Sequence, residues 1–167
     1  MEALTDPASL RETEVEYVER EPEVNESHYA VYEDHAGTVV VGTTDERGRL
    51  ALLERPESGG LAPSFARVEP GADYLAAGRE AVRDGTGLDV RIDAVVRVRG
   101  HVYRTPDGRE ATGHDVLLAA TPTGDGEIDP GAGHEWTPGW HDPATVSPSV
   151  GGKAGEDLTT FLERARE

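Results

Sequence analysis

The stretch that decides the fold runs Val68-Glu-Pro-Gly-Ala-Asp-Tyr-Leu-Ala-Ala-Gly-Arg-Glu-Ala-Val-Arg-Asp-Gly-Thr-Gly-Leu88. Glu69-Pro-Gly71 makes a turn, and Asp73 is placed to cap a helix by accepting from the backbone N–H groups of its first turn. Leu75, Ala76, Ala81 and Val82 recur on neighbouring turns and give that helix one apolar face. The helix stops at Gly85-Thr-Gly87, where Gly87 can adopt the left-handed backbone that closes a helix without a steric penalty.

Upstream, Thr38-Val-Val-Val-Gly-Thr43 is β-branched, Asp45-Glu-Arg-Gly-Arg49 reads as a turn, and Leu50-Ala-Leu-Leu53 reads as the partner strand of a buried hairpin. Residues 55–72 are rich in Pro and Gly and predict a loop with room for one short strand. Downstream, Leu88-Asp-Val-Arg-Ile92 and Ala94-Val-Val-Arg-Val98 are strands. His101-Val-Tyr-Arg104 opens a hairpin through Pro106-Asp-Gly108, and Asp115-Val-Leu-Leu-Ala-Ala120 returns from it. A Gly/Asp loop, Trp136, Trp140 and Pro-rich turns lead to a final helix from about Glu156 to Arg166. Residues 1–36 are polar and broken by Pro7 and Pro22, with a short strand near Val15–Val18 and a helix from Ser27 to Glu33. They are expected to form an acidic extension packed on a domain of residues 37–167. Strands around a central helix, with a second helix at the end, indicate an α/β fold with a mixed sheet.

The 167 residues include 33 Asp or Glu against 16 Lys or Arg, a formal net charge of -17. That balance repels phosphate backbones and anionic lipid surfaces, so neither nucleic acid nor membrane is expected as a partner. Lys153 is the sole lysine, and the acids are spread along the whole chain. This composition resembles that of cytoplasmic proteins of halophiles, in which molar salt shrinks the Debye length to about 3 Å and screens self-repulsion. There is no cysteine, which excludes disulfides and thiolate chemistry. The N-terminus has neither the basic start nor the apolar core of a signal peptide, and no apolar run approaches a membrane span, so a cytoplasmic protein is expected.

The stretch from Val68 to Leu88 resembles the Nudix box, whose pattern is G-x5-E-x7-R-E-U-x-E-E-x-G-U with U a bulky aliphatic residue. The hairpin before it, the strands after it and a late Trp140-His-Asp-Pro143 fall in the order that this family shows, so the resemblance covers roughly residues 37–166. It implies an α/β/α sandwich with a mixed, curved sheet between the box helix and the C-terminal helix. It also implies hydrolysis of nucleoside diphosphate derivatives, with Mg²⁺ or Mn²⁺ held by carboxylates that converge on one helix face. A homodimer is compatible with the resemblance.

The departures from the pattern are concentrated at the carboxylates. Anchored on Val68-Glu-Pro-Gly71 and Thr86-Gly-Leu88, the ungapped register places Ala66 at the first Gly and Ala72 at the first Glu. It places Glu80 at the Arg, Ala81 at the next Glu, and Asp84 and Gly85 at the final Glu pair. The Leu-Pro-Gly-Gly common before the box is here Pro63-Ser-Phe-Ala66. A competing register takes Arg79-Glu80 as the Arg-Glu of the box, which makes Glu80 and Asp84 an i, i+4 pair of metal ligands. It requires a deletion before Arg79 and an insertion near Gly85. Glu69 in the preceding loop is a further candidate, as a loop acid acting as general base. The expectation is a nucleotide-binding or regulatory protein with hydrolysis weakened or lost. The alternatives are an active hydrolase using Glu69, Glu80 and Asp84, and a protein-interaction module whose groove is filled by Phe65 and Trp140.

Other motifs carry less. His101, His114, His134 and His141 form no close ligand pair and read as surface or hydrogen-bonded residues. Trp136 and Trp140 can stack on a base or pack in the core. Gly151-Gly-Lys153 lacks the first Gly and the following Ser or Thr of a phosphate loop. From the charge pattern, thermal stability should rise between low salt and molar KCl; a melting temperature that does not rise contradicts the halophile reading.

Overall fold

A computed structural model describes residues 2–147 and 152–165, with backbone alone for 152–154. Among the described residues, nine strands and three α-helices follow in chain order: β1 (Glu16–Glu19), β2 (Glu23–Val24), α1 (Glu26–Asp34), β3 (Gly37–Thr43), β4 (Leu50–Glu54), β5 (Leu61–Ala62), β6 (Ser64–Val68), α2 (Tyr74–Thr86), β7 (Val90–Arg104), β8 (Glu110–Pro122), β9 (Thr137–His141) and α3 (Gly152–Ala165). The main sheet has the order β1-β7-β8-β3-β6, with β2 also paired to β7. β1 and β2 run parallel to β7, and β3 parallel to β8, while β7–β8 and β3–β6 are antiparallel. The sheet is therefore mixed, and register shifts in β7 at Ile92/Ala94 and Val95/Arg97 bend it.

The two-residue period of the strands sorts the apolar residues into two cores. Val39, Val41, Val68, Val98, Val116 and Leu118 share one cluster with Tyr74, Leu75 and Val82 of α2. Val40 and Leu117 face the other way and join Leu50, Leu52, Leu158, Phe161 and Leu162 under α3. This is the expected helix–sheet–helix sandwich. α2 lies close on the sheet because Gly78 has no side chain: a Cβ there would stand 2.8 Å from Leu118 Cδ1. Phe161 sits directly on Gly42, where a Cβ would fall 2.2 Å from its ring.

The helix over residues 74–86 matches the sequence expectation to its caps. Asp73 accepts from the Leu75 N–H, and Gly87 closes the helix at φ 78°. Several other expectations are corrected. β3 and β4 are both buried but do not form a hairpin: β3 pairs with β6 and β8, and β4 with β5 and β9 in a separate three-stranded sheet. Among the described residues, a bridge between Thr44 and Leu50 is the ladder contact between them, because β3 is taken on both edges by β6 and β8. The two strands read before His101 are one strand, β7, continuous through its bulges. Residues 55–72 hold two strands, β5 and β6. β9, unread in the sequence, places Pro138 opposite Leu53 on an edge strand, where a missing N–H is tolerated. α3 begins at Gly152, earlier than expected; Arg166 and Gly151 lie outside the described residues.

Residues 2–36 wrap the sheet edge. Leu4 donates its N–H to Asp73 Oδ1 at 2.8 Å and accepts from the Tyr74 N–H at 2.7 Å, while Leu4 and Leu10 are buried in the α2-side core. β1 and β2 then extend the sheet, and α1 crosses to the opposite face. Replacing Phe161 with Ala should lower unfolding free energy by about 3–5 kcal/mol in denaturant titrations, since its ring fills the space left by Gly42; a loss below about 1 kcal/mol contradicts this packing.

Candidate functional site

α2 runs without interruption between its caps, and the sequence-predicted acids sit on its outer surface. Glu80 and Asp84 are both exposed, one turn apart on the same face. The Asp84 carbonyl accepts from the Gly133 N–H at 3.0 Å, which ties the loop after β8 to the helix end. Glu69 is exposed in the loop before the helix, with His35 Nε2 3.8 Å from its Oε1. The inner positions are Ala81, 7% exposed, and Gly85, whose missing Cβ would lie 3.1 Å from Ser64 Oγ and 3.3 Å from Leu53 Cδ1. Among the described residues, no group of three or more His, Asp or Glu side chains stands ready to hold a metal ion.

A concave, largely apolar feature lies on the other face of the sheet. Even-numbered Thr38 and Val40 of β3 and odd-numbered Phe65 and Arg67 of β6 point away from α2 and floor a cavity of about 290 Å³. His28 and Tyr32 of α1 form one wall, Gly155, Asp157 and Leu158 of α3 another, and Leu61, Ala62 and Pro63 a third. Arg55 and Arg67, both exposed, bring two guanidinium groups to the rim of an otherwise acidic molecule. The Arg55 guanidinium lies 4.9 Å over the Trp136 ring, and Trp136 tilts against Phe65 at 5.9 Å. Phe65 is 49% exposed, so this edge of the cavity is an open aromatic surface.

Beneath the cavity is a buried charge cluster that sequence reading missed. Arg99 of β7 is fully buried; it bonds Asp157 through Nη2, and its Nη1 lies 3.7 Å from Asp115 Oδ2. Asp115 also accepts from Tyr32 Oη at 3.0 Å and meets His101 Nε2 at 2.7 Å. Burial pushes the Asp157 carboxyl up to about 6, opposed by the Arg99 charge and reinforced by Asp115. Burial, followed by the Asp115 carboxylate, also raises the Tyr32 phenol well above its ordinary range. Around the cluster, Arg20 grips Glu156 through Nη2 at 2.9 and 3.2 Å, and Arg97 donates to Thr160 at 3.0 Å. Three arginines of the β1–β7 edge thus seat α3.

Part of the pattern is local, since Arg97 and Arg99 alternate with Val96 and Val98 and Asp115 opens the apolar run Val116-Leu-Leu118, but nothing in the sequence joins these residues to Asp157. Of the histidines, His101 is buried and hydrogen-bonded as expected. Trp140 packs against the α2-side core and donates from Nε1 to the Gly126 carbonyl at 2.9 Å. Phe65 and Trp140 therefore do not meet to fill a groove beside α2.

Neither a protein-family model nor a curated protein sequence matches the chain. Its structure, however, is similar to that of an ADP-ribose pyrophosphatase from Streptococcus suis, with a TM-score of 0.55, 17% identity, and coverage of 78% of this chain and 91% of that one. The dihydroneopterin triphosphate pyrophosphohydrolase of Escherichia coli gives 0.57, 12%, 78% and 97% in the same order. A Nudix-family hydrolase from Clostridium perfringens gives 0.55, 14%, 80% and 97%. The chain has the Nudix fold.

The buried cluster generates a pH test. Asp157 is easier to protonate folded than unfolded, so its contribution to stability is fully present below a pH of about 4 and is lost as pH rises through about 6. The difference in unfolding free energy between the wild type and Asp157→Asn should change by on the order of 3 kcal/mol across that window in denaturant titrations at molar KCl. A difference independent of pH contradicts the assignment.

Proposed function

We propose that this chain, built on the Nudix fold, takes a nucleoside diphosphate derivative in the pocket between the sheet and α3 and hydrolyses it weakly or not at all, acting as a nucleotide-binding or regulatory protein. The observation that carries the reading is the inner face of α2, where Ala81 is buried and Gly85 packs toward Ser64 and Leu53. In the ungapped register these are two of the positions at which the box carries glutamates. The unbroken helix, the buried Val82 and Leu88 and the left-handed Gly87 all favour that register.

The remaining donors fit a resident Mg²⁺ or Mn²⁺ poorly. Such an ion wants about six oxygens in near-octahedral array, whereas Glu80 and Asp84 stand in solvent on the outer face of α2 and Glu69 sits on the preceding loop. No hydrolytic step is therefore derived through a metal. The pocket supports binding on separate grounds. About 290 Å³ lies at the lower end of ligand sites and suits a base with part of its sugar. Arg55 and Arg67 at the rim offer paired charges to a diphosphate. Two of the similar structures are named for phosphate-ester substrates of this kind, ADP-ribose and dihydroneopterin triphosphate.

A second reading, an active pyrophosphohydrolase with a rearranged site, is favoured by one observation: Glu80 and Asp84 share a helix face one turn apart. Both readings meet in one assay, using NDP-sugars, dinucleotides and NTPs with Mg²⁺ or Mn²⁺ at molar KCl. The expected outcome is binding of at least one nucleoside diphosphate derivative with product release at background. Robust release that Asp84→Ala abolishes establishes the second reading instead.

A further inference from the structure

We infer that the N-terminal segment supplies the specificity wall of this pocket: α1, hung on Tyr32, sets which nucleoside end the pocket admits. The inference rests on the nucleotide reading above and adds to it the element that discriminates between ligands.

α1 is nine residues long, and Tyr32 is its one buried residue. That ring is therefore the buried anchor of the helix on the sheet, with His28 packed beside it on Tyr103 at 4.9 Å. The ring is 8% exposed and stacks on Tyr103 at 5.2 Å with an interplanar angle of 15°. It lies against the backbone of β8 at Gly113, where a Cβ would be 2.1 Å from Tyr32 Cδ1 and 2.8 Å from Cγ. Any side chain at 113 must displace α1, since both clashing atoms belong to the root of a buried ring. Tyr32 Oη then reaches Asp115 at 3.0 Å, in the pocket lining, and approaches Thr38 as well. One residue thus carries the wall and orients a carboxylate of the pocket. Backbone bonds pin the two ends of α1. At its start Asn25 donates its N–H to the Arg104 carbonyl at 3.0 Å and caps the helix through the His28 N–H. Just past its end Ala36 donates to the Val68 carbonyl at 2.8 Å and accepts from the His114 N–H at 3.1 Å, so Tyr32 sets how the middle of the helix stands on the sheet.

Loop 55–63 and α3 form the other walls, so a change at Tyr32 alters the pocket on one side alone. Ligands that differ in the size of their base should then be affected unequally, which a general loss of folding would not produce.

Isothermal titrations of ADP-ribose and UDP-glucose into the full chain at molar KCl test the inference. Tyr32→Ala should change the ratio of the two affinities by about fivefold or more, and Gly113→Ala should change it as well, although Gly113 does not line the pocket. Tyr32→Phe keeps the ring and removes one hydrogen bond, so it should stay folded and weaken binding by about threefold while shifting the ratio least. An unchanged ratio in Gly113→Ala and Tyr32→Ala, with circular dichroism showing both folded, overturns the inference and leaves the nucleotide reading standing. If Tyr32→Ala does not fold, Tyr32→Phe binding both compounds as the wild type does, together with an unchanged ratio in Gly113→Ala, overturns it. Binding of neither compound by the wild type overturns the nucleotide reading and the inference with it.

Discussion

One guanidinium, that of Arg99, lies wholly out of water between Asp157 of α3 and Asp115 of β8. A buried charge is tolerated only when its partners stay in place, so this cation constrains every element that supplies one. α3 is held to the sheet at its N-terminal half, Asp115 is held at the pocket lining, and Tyr32 of α1 follows Asp115. Apolar packing of Phe161 and Leu162 completes the seating of α3 at its other end. The pocket thus exists because three elements distant in sequence converge on a single buried ion cluster.

The two faces of the sheet have diverged in chemistry. The face under α3 keeps a cavity with arginines at its rim and carboxylates below. On the α2 face, the inner positions of the helix hold a methyl group and a hydrogen. A chain with 33 acids has none at Ala72, Ala81 or Gly85. Drift towards an acidic surface would add carboxylates rather than leave these places without them; a relaxed demand for hydrolysis, as in the function proposed above, would account for the pattern. The acids that remain on α2, Glu80 and Asp84, share their exposure with most of the acidic surface, and exposure alone gives them no role.

What could be read from the sequence was what is encoded locally. Asp73 and Gly87 mark the ends of α2 because capping depends on residues within a turn, and Pro106-Asp-Gly108 marks the β7–β8 turn for the same reason. Adjacency in sequence favours a hairpin of β3 and β4, while partner choice is decided by burial against strands up to about 90 residues away. β9 was invisible because Pro138 and Gly139 carry no strand preference. The pocket was invisible for a deeper reason. Arg99, Asp115 and Asp157 are ordinary charged residues in a highly charged chain, and only the fold removes them from water.

The account's central claim is that a nucleotide pocket persists under α3 while α2 holds no metal. A crystal structure grown at molar KCl with ADP-ribose and Mn²⁺, with the anomalous signal of manganese recorded, tests it most directly. The account predicts the nucleoside between Thr38, Phe65 and α3, the diphosphate at Arg55 and Arg67, and no manganese peak on α2. A manganese ion within about 2.5 Å of Glu80 or Asp84 oxygens, with the diphosphate beside it, would contradict it.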